Sequence, residues 1–324
     1  MAMRRTLGWA GILLGAILLG ACTPVAGFQS DLRTPSPEGL RMPGLTPPAI
    51  PSPGLPSTVL PSGTPEATGP TSLPGPRVAL CDERGGRVER RRYDSRLVGA
   101  WIPVHLYLPP CYAERAEPYP VLFLFHGKPQ DERHWQLLGI IDLVEEGLQE
   151  GNIPPLILVM PYLPEPLFSG TDGGPGSYEQ EFFAALLPFV ESDYLVSTDR
   201  ERRALVGVSR GAVWALEMGL RHPDAFGALA ALSPALSLNQ AREAYDPIRL
   251  AEGLDDTAPR IYLGAGDSDS ALMGAKQLRD ILRQEGVEYA FSVVPGTHDG
   301  TTWKALLPEM LRFVTRDWIP SAKE

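Results

Sequence analysis

Positive charge is in short supply in this chain. The 29 Lys and Arg residues stand against 39 Asp and Glu, giving a formal net charge of -10 and an isoelectric point near 5.1. That balance excludes a protein that grips nucleic acid through a basic face. The one basic cluster, Arg84, Arg87, Arg90, Arg91 and Arg92, falls on an early strand among acids and reads as a solvated sheet edge, where arginine also discourages edge pairing. The N-terminal apolar run, Leu7 to Gly20, falls short of the about 20 residues that a stable transmembrane helix needs. Histidine and cysteine are scarce as well, at five and three residues, so a catalytic base or a disulfide has few places to be.

Proline, by contrast, is plentiful and unevenly spread. The 34 prolines are concentrated between Pro24 and Pro76, in stretches such as Thr46-Pro47-Pro48 and Pro51-Ser52-Pro53-Gly54. Without apolar periodicity such a segment cannot offset its ordering entropy, and it reads as an extended tether. Ahead of it stand Arg4-Arg5, the apolar run and Leu19-Gly20-Ala21-Cys22, which together resemble a bacterial export signal ending in a lipobox. The expected organisation is a signal peptide over 1–21, a lipid-modified Cys22 opening a tether over 22–77, and one catalytic-size domain over 78–324. Export implies an oxidising compartment. Cys81 and Cys111 flank an expected hairpin, so they either bridge or remain two buried thiols, with the bridge the favoured reading.

Within the domain, Arg87 to Tyr93 and Ala100 to Leu108 read as an antiparallel pair ended by Pro109-Pro110. Val121 to Phe125 is a continuous apolar run of the kind that is covered on both faces. Further strands are expected at Leu156 to Met160, Ala204 to Val208, Ala228 to Leu232, Arg260 to Leu263 and Tyr289 to Val294. Helical periodicity falls between them, over Leu137 to Gln149, Tyr178 to Asp193, Ala212 to Leu220 and Ala271 to Gln284, with Trp303 to Trp318 last; Pro161 to Gly176 reads as a long loop. The alternation predicts an α/β fold: a mostly parallel eight-stranded sheet with an antiparallel N-terminal hairpin and helices on both faces, its site at the carboxyl ends of the strands.

One stretch there carries chemistry. Gly207-Val208-Ser209-Arg210-Gly211 lies between an apolar strand and a helix, the setting of a nucleophile elbow, in which a tight turn lifts the serine hydroxyl above the sheet. Such a serine needs a base and an orienting acid. Among the histidines, His105 lies inside a strand, His222 at a helix end, His134 at a helix start and His126 in a turn; His298 follows the last strand and is the expected base. The acid should follow the preceding strand. Asp267 is the first carboxylate there and the expected choice, Asp269 is the alternative, and Asp299 is too close in sequence to His298 to reach its ring. The oxyanion of an acyl transfer needs backbone donors. Those expected are the N–H of Arg210 and that of Lys128, with Gly127 as the alternative; both long side chains are free to be solvated.

Taken together, Leu108-Pro109-Pro110, Tyr119 to Gly127, GVSRGA, GAGDSD and GTHDGTTW closely resemble the putative-esterase family of α/β-hydrolases, which includes esterase D, enterochelin-esterase and feruloyl-esterase types. The resemblance covers about Val78 to Trp318 and implies the α/β-hydrolase fold. It also implies a serine carboxylesterase with Ser209, Asp267 and His298 in the triad positions, working without metal or cofactor on a small-molecule or carbohydrate-linked ester. An export signal argues against the cytosolic S-formylglutathione hydrolase branch. An acyltransferase of mycolyltransferase type and a non-catalytic surface binding protein on the same scaffold stay open as rivals. The sequence carries no signal for oligomeric state.

Overall fold

A computed structural model describes residues 81–319. The expected signal segment 1–21, Cys22 and the tether 22–77 lie outside the described residues. Eight strands form one sheet: β1 (Arg87–Ser95), β2 (Ala100–Leu108), β3 (Val121–Phe125), β4 (Ile157–Pro161), β5 (Arg203–Val208), β6 (Ala228–Leu232), β7 (Arg260–Gly266) and β8 (Tyr289–Val294), in the order β1-β2-β4-β3-β5-β6-β7-β8. The first two strands pair antiparallel, β2 joins β4 antiparallel, and every later pairing is parallel. The arginines of β1 therefore sit on an edge strand, exposed as expected.

The central strands are apolar throughout because both faces are covered. Val121, Phe123 and Phe125 of β3 enter one core with Phe182, Trp214 and Leu278, whereas Leu122 and Leu124 enter the other with Trp135, Val144, Trp303 and Leu307. Strand alternation thus assigns the helices Tyr178–Glu181, Leu187–Asp193, Arg210–Arg221 and Leu272–Glu285 to one face, and Ile140–Glu150 and Gly300–Thr315 to the other. Cys81 and Cys111 form a disulfide with their Cα atoms 5.7 Å apart, tying the start of the domain to the end of β2.

Two local features stand out against the pattern expected of the sequence. The stretch from Tyr178 to Asp193 is helical throughout, as expected, but Phe182–Leu186 inside it is π-helical, just ahead of Pro188, which has no N–H to give to the helical ladder. Strand β7 runs through Gly266 rather than ending at Leu263. Its last residues, Gly264-Ala265-Gly266, carry little side chain, so they show no apolar alternation, but they remain in register with Ser292-Val293-Val294 of β8. That extension moves the following carboxylates.

Candidate active site

Register alone brings the strand ends together. Phe125 lies opposite Gly207, which sets Gly127 beside Ser209, and Val208 lies opposite Leu232, which sets Ser233 on the other side of it. Ser209 has φ 54° and ψ -116°, a region that costs on the order of 1–3 kcal/mol for a residue with a side chain. The surroundings hold it there: its N–H donates to Leu232 O at 2.9 Å and its carbonyl accepts from Ala235 N at 3.2 Å. Both motif glycines are steric necessities, since a Cβ on Gly207 would strike the backbone of Gly211, and one on Gly211 the carbonyl oxygens of Phe125 and His126.

His298 stands over this turn. Its Nδ1 lies 2.8 Å from Asp269 Oδ1 and its Nε2 2.9 Å from Ser209 Oγ. A carboxylate only accepts, so Nδ1 carries the ring proton and Nε2 offers its lone pair to the Ser209 hydroxyl. The Asp269 side chain is fully buried and held from three sides: Ala271 N–H donates to Oδ1 at 2.8 Å and Ser233 Oγ–H to Oδ2 at 2.6 Å, besides the imidazole. Trp303 Nε1–H in turn donates to Ser233 Oγ at 3.0 Å, and its indole packs edge-on against the His298 ring at 5.3 Å between centroids.

Asp267, the acid expected to orient His298, does not reach it. Because β7 continues to Gly266, Asp267 sits exposed at the sheet margin. Its carboxylate accepts from Gly296 N at 3.1 Å and Ser268 Oγ at 3.0 Å, and the Gly296 N–H, foremost, holds its pKa below the usual range. It braces the loop that carries His298, while Asp269, after one more turn, is directed inward. Asp299 caps the helix Gly300–Thr315 through Thr301 N and Thr302 N, at 2.9 and 3.0 Å.

The amides expected to face an oxyanion lie at the same strand ends. Arg210 N opens the helix after the elbow, and among the described residues neither it nor Lys128 N has an acceptor. A Cβ on Gly127 would come within 3.3 Å of Ser209 Cβ, so the loop passes very close to Ser209. The buried His126 ring shapes this loop: Nδ1–H donates to Gly127 O at 2.7 Å and Nε2 accepts from Leu163 N at 2.9 Å, an arrangement only the neutral ring can make. Burial lowers its pKa accordingly.

The two long side chains are not simply solvated. The Arg210 guanidinium reaches Phe168 O (3.3 Å), Asn239 Oδ1 (3.0 Å) and Gly170 O, and stacks over Trp214; burial pushes it down to about 10. It ties the loop 161–176 to the elbow. Lys128 Nζ pairs with Glu165 Oε1 of that loop at 2.7 Å. Sequence reasoning missed Ser233 and Trp303; the available signal was a serine directly after β6, at the same sheet edge as Ser209. Among the described residues one cluster could suggest a metal, Cys81, Glu83 and Cys111, but the two sulfurs are bonded to each other and offer no thiolate.

The profile of the family described as "Putative esterase" matches residues 95–314, spanning every element of this site. The chain belongs to this esterase family, and its fold is that of the α/β-hydrolases. Among its relatives are an endo-1,4-beta-xylanase/feruloyl esterase of Xylanibacter ruminicola, 28% identical over 71% of this chain and 31% of the relative, and an esterase of Mycobacterium tuberculosis, 27% identical over 69% of this chain and 58% of the relative. The chain thus spans about a third to just over half of those relatives. A solved ferulic acid esterase is 26% identical over 72% of this chain and 98% of its own, with a TM-score of 0.64. The S-formylglutathione hydrolase of Staphylococcus aureus, 19% identical over 71% of this chain and 99% of its own with a TM-score of 0.60, shares the fold.

Proposed function

We propose that the protein is a serine carboxylesterase in which Ser209 is the nucleophile, His298 the general base and acid, and Asp269 the carboxylate that orients it. The observation that carries this is the unbroken Ser209–His298–Asp269 chain at 2.9 and 2.8 Å, above a strained elbow. Ser209 Oγ attacks the ester carbonyl carbon as its proton passes to His298 Nε2. The oxyanion is met by the N–H groups of Arg210 and Lys128, with Gly127 able to serve. Collapse expels the alcohol, which takes the proton from His298, and leaves an acyl-Ser209; water repeats the cycle and frees the acid. The names of the relatives favour aryl esters carried on saccharides as the first class to assay. The leader motif and Cys22 support a lipid-anchored protein outside the cytoplasm, which mass spectrometry of the mature N-terminus tests.

Ser209→Ala should lower hydrolysis of a p-nitrophenyl ester by roughly 10⁴- to 10⁶-fold. Asp269→Asn, which disturbs the imidazole tautomer, should cost about 10⁴-fold in kcat, whereas Asp267→Asn should cost less than about tenfold. Wild-type turnover in Ser209→Ala, or a reversed order of the two aspartates, overturns the assignment.

A further inference from the structure

We propose that Ser233 and Trp303 form a directed hydrogen-bond relay that positions Asp269, so that His298 is aligned from two elements outside the triad. The inference rests on the triad reading above. Trp303 Nε1 can only donate, and it donates to Ser233 Oγ at 3.0 Å. That bond occupies a lone pair of the hydroxyl and leaves its proton for Asp269 Oδ2, 2.6 Å away. The relay therefore has one direction, from indole N–H through hydroxyl to carboxylate. All three groups are buried, Ser233 and the Asp269 side chain completely and Trp303 to 4% exposure, so water cannot readily replace a lost donor.

The geometry is built rather than incidental. Ser233 takes φ 47°, an unusual value for a residue with a side chain, and its N–H is spent on Gly264 O at 2.6 Å. The parallel register places it at the end of β6, between the strand ends that carry Ser209 and Asp269. Trp303 bears on the triad in two ways, directly through its ring against His298 and indirectly through this N–H on Ser233. Its other neighbour is His134, whose ring meets the indole edge-on at 5.5 Å. Ala271 N–H and the imidazole both meet Oδ1, so Ser233 is the group that holds Oδ2 and with it the second end of the carboxylate.

The test uses Ser233→Ala, Trp303→Phe and the double variant, with Asp269→Asn as control. Trp303→Phe keeps an aromatic ring at this place and removes the N–H together with part of the buried indole, so the comparison with Ser233→Ala separates the lost donor from the lost packing. Each single variant should lower kcat by about 10- to 100-fold with KM within about twofold, and slow fluorophosphonate labelling of Ser209 in proportion, because labelling reports nucleophile activation without an ester substrate. The double variant should be no slower than Ser233→Ala, since the indole N–H acts only through the hydroxyl. The low-field proton resonance of His298 Nδ1–H should move or broaden in all three. Additive losses, or losses confined to KM, would mean a packing role and overturn the relay. So would wild-type kcat in both single variants while Asp269→Asn is impaired. Wild-type kcat in Asp269→Asn would instead overturn the triad reading on which the relay rests.

Discussion

Glu217 lies on the helix Arg210–Arg221, wholly buried, with the charged Glu179 beside it. Burial above all, and then the Glu179 charge, push its pKa up to about 8 from an ordinary 4.5. Glu179 goes the other way: burial would raise it, but His222, Arg221 and the Gly174 N–H outweigh that and hold it at about 2. The folded state therefore binds the Glu217 proton more tightly than the unfolded chain does. Stability from this proton is complete below about pH 4.5 and is lost as pH rises towards 8. The Glu179 contribution is present above about 4.5 and lost only as pH falls towards 2, so the two windows separate. At about 1.4 kcal/mol per pKa unit, ionising Glu217 between pH 5 and 8 costs the native state roughly 3–4 kcal/mol. Glu217→Gln removes the titration while keeping shape. Urea unfolding of both proteins at pH 5, 6, 7 and 8 should show the wild type losing that much relative to the variant, with unchanged m. Parallel stability curves across this range would refute the reasoning.

Gly211→Ala should abolish activity and destabilise the fold by more than about 3 kcal/mol, because the new methyl meets the fixed carbonyls of Phe125 and His126; calorimetry and fluorophosphonate labelling check this. Replacing Cys81 and Cys111 together by Ser opens a loop closed over a separation of 30 residues and should cost roughly 3–4 kcal/mol in denaturant unfolding, with kcat nearly unchanged because the bridge is remote from Ser209. Arg210→Gln leaves the elbow amide in place but releases Phe168, Gly170 and Asn239 from the guanidinium. Limited proteolysis should then cut within 161–176, with KM raised more than kcat is lowered.

Much of this architecture is written in local pattern. The apolar run of β3, the alternation of strand and helix, the elbow around Ser209 and a histidine after the last strand all follow from short-range rules, and these residues stand where such rules put them. Position along the chain could not separate Asp267 from Asp269, two residues apart after the same strand. The choice depends on where β7 stops, and its final glycines and alanine bear no periodic signal; hydrogen bonding to β8 carries it to Gly266 and turns Asp269 inward. Arg210 and Trp303 were hidden for a related reason. A long side chain's partners lie 29 to 70 residues away in sequence, and only the closing of the sheet brings Phe168, Asn239 and Ser233 within reach. Local pattern was enough to read the layered fold and to place Ser209 on its turn and His298 after the last strand, because glycine sterics and apolar periodicity act locally. Tertiary structure alone decided which carboxylate serves the histidine and what holds it, because that depends on the register of distant strands.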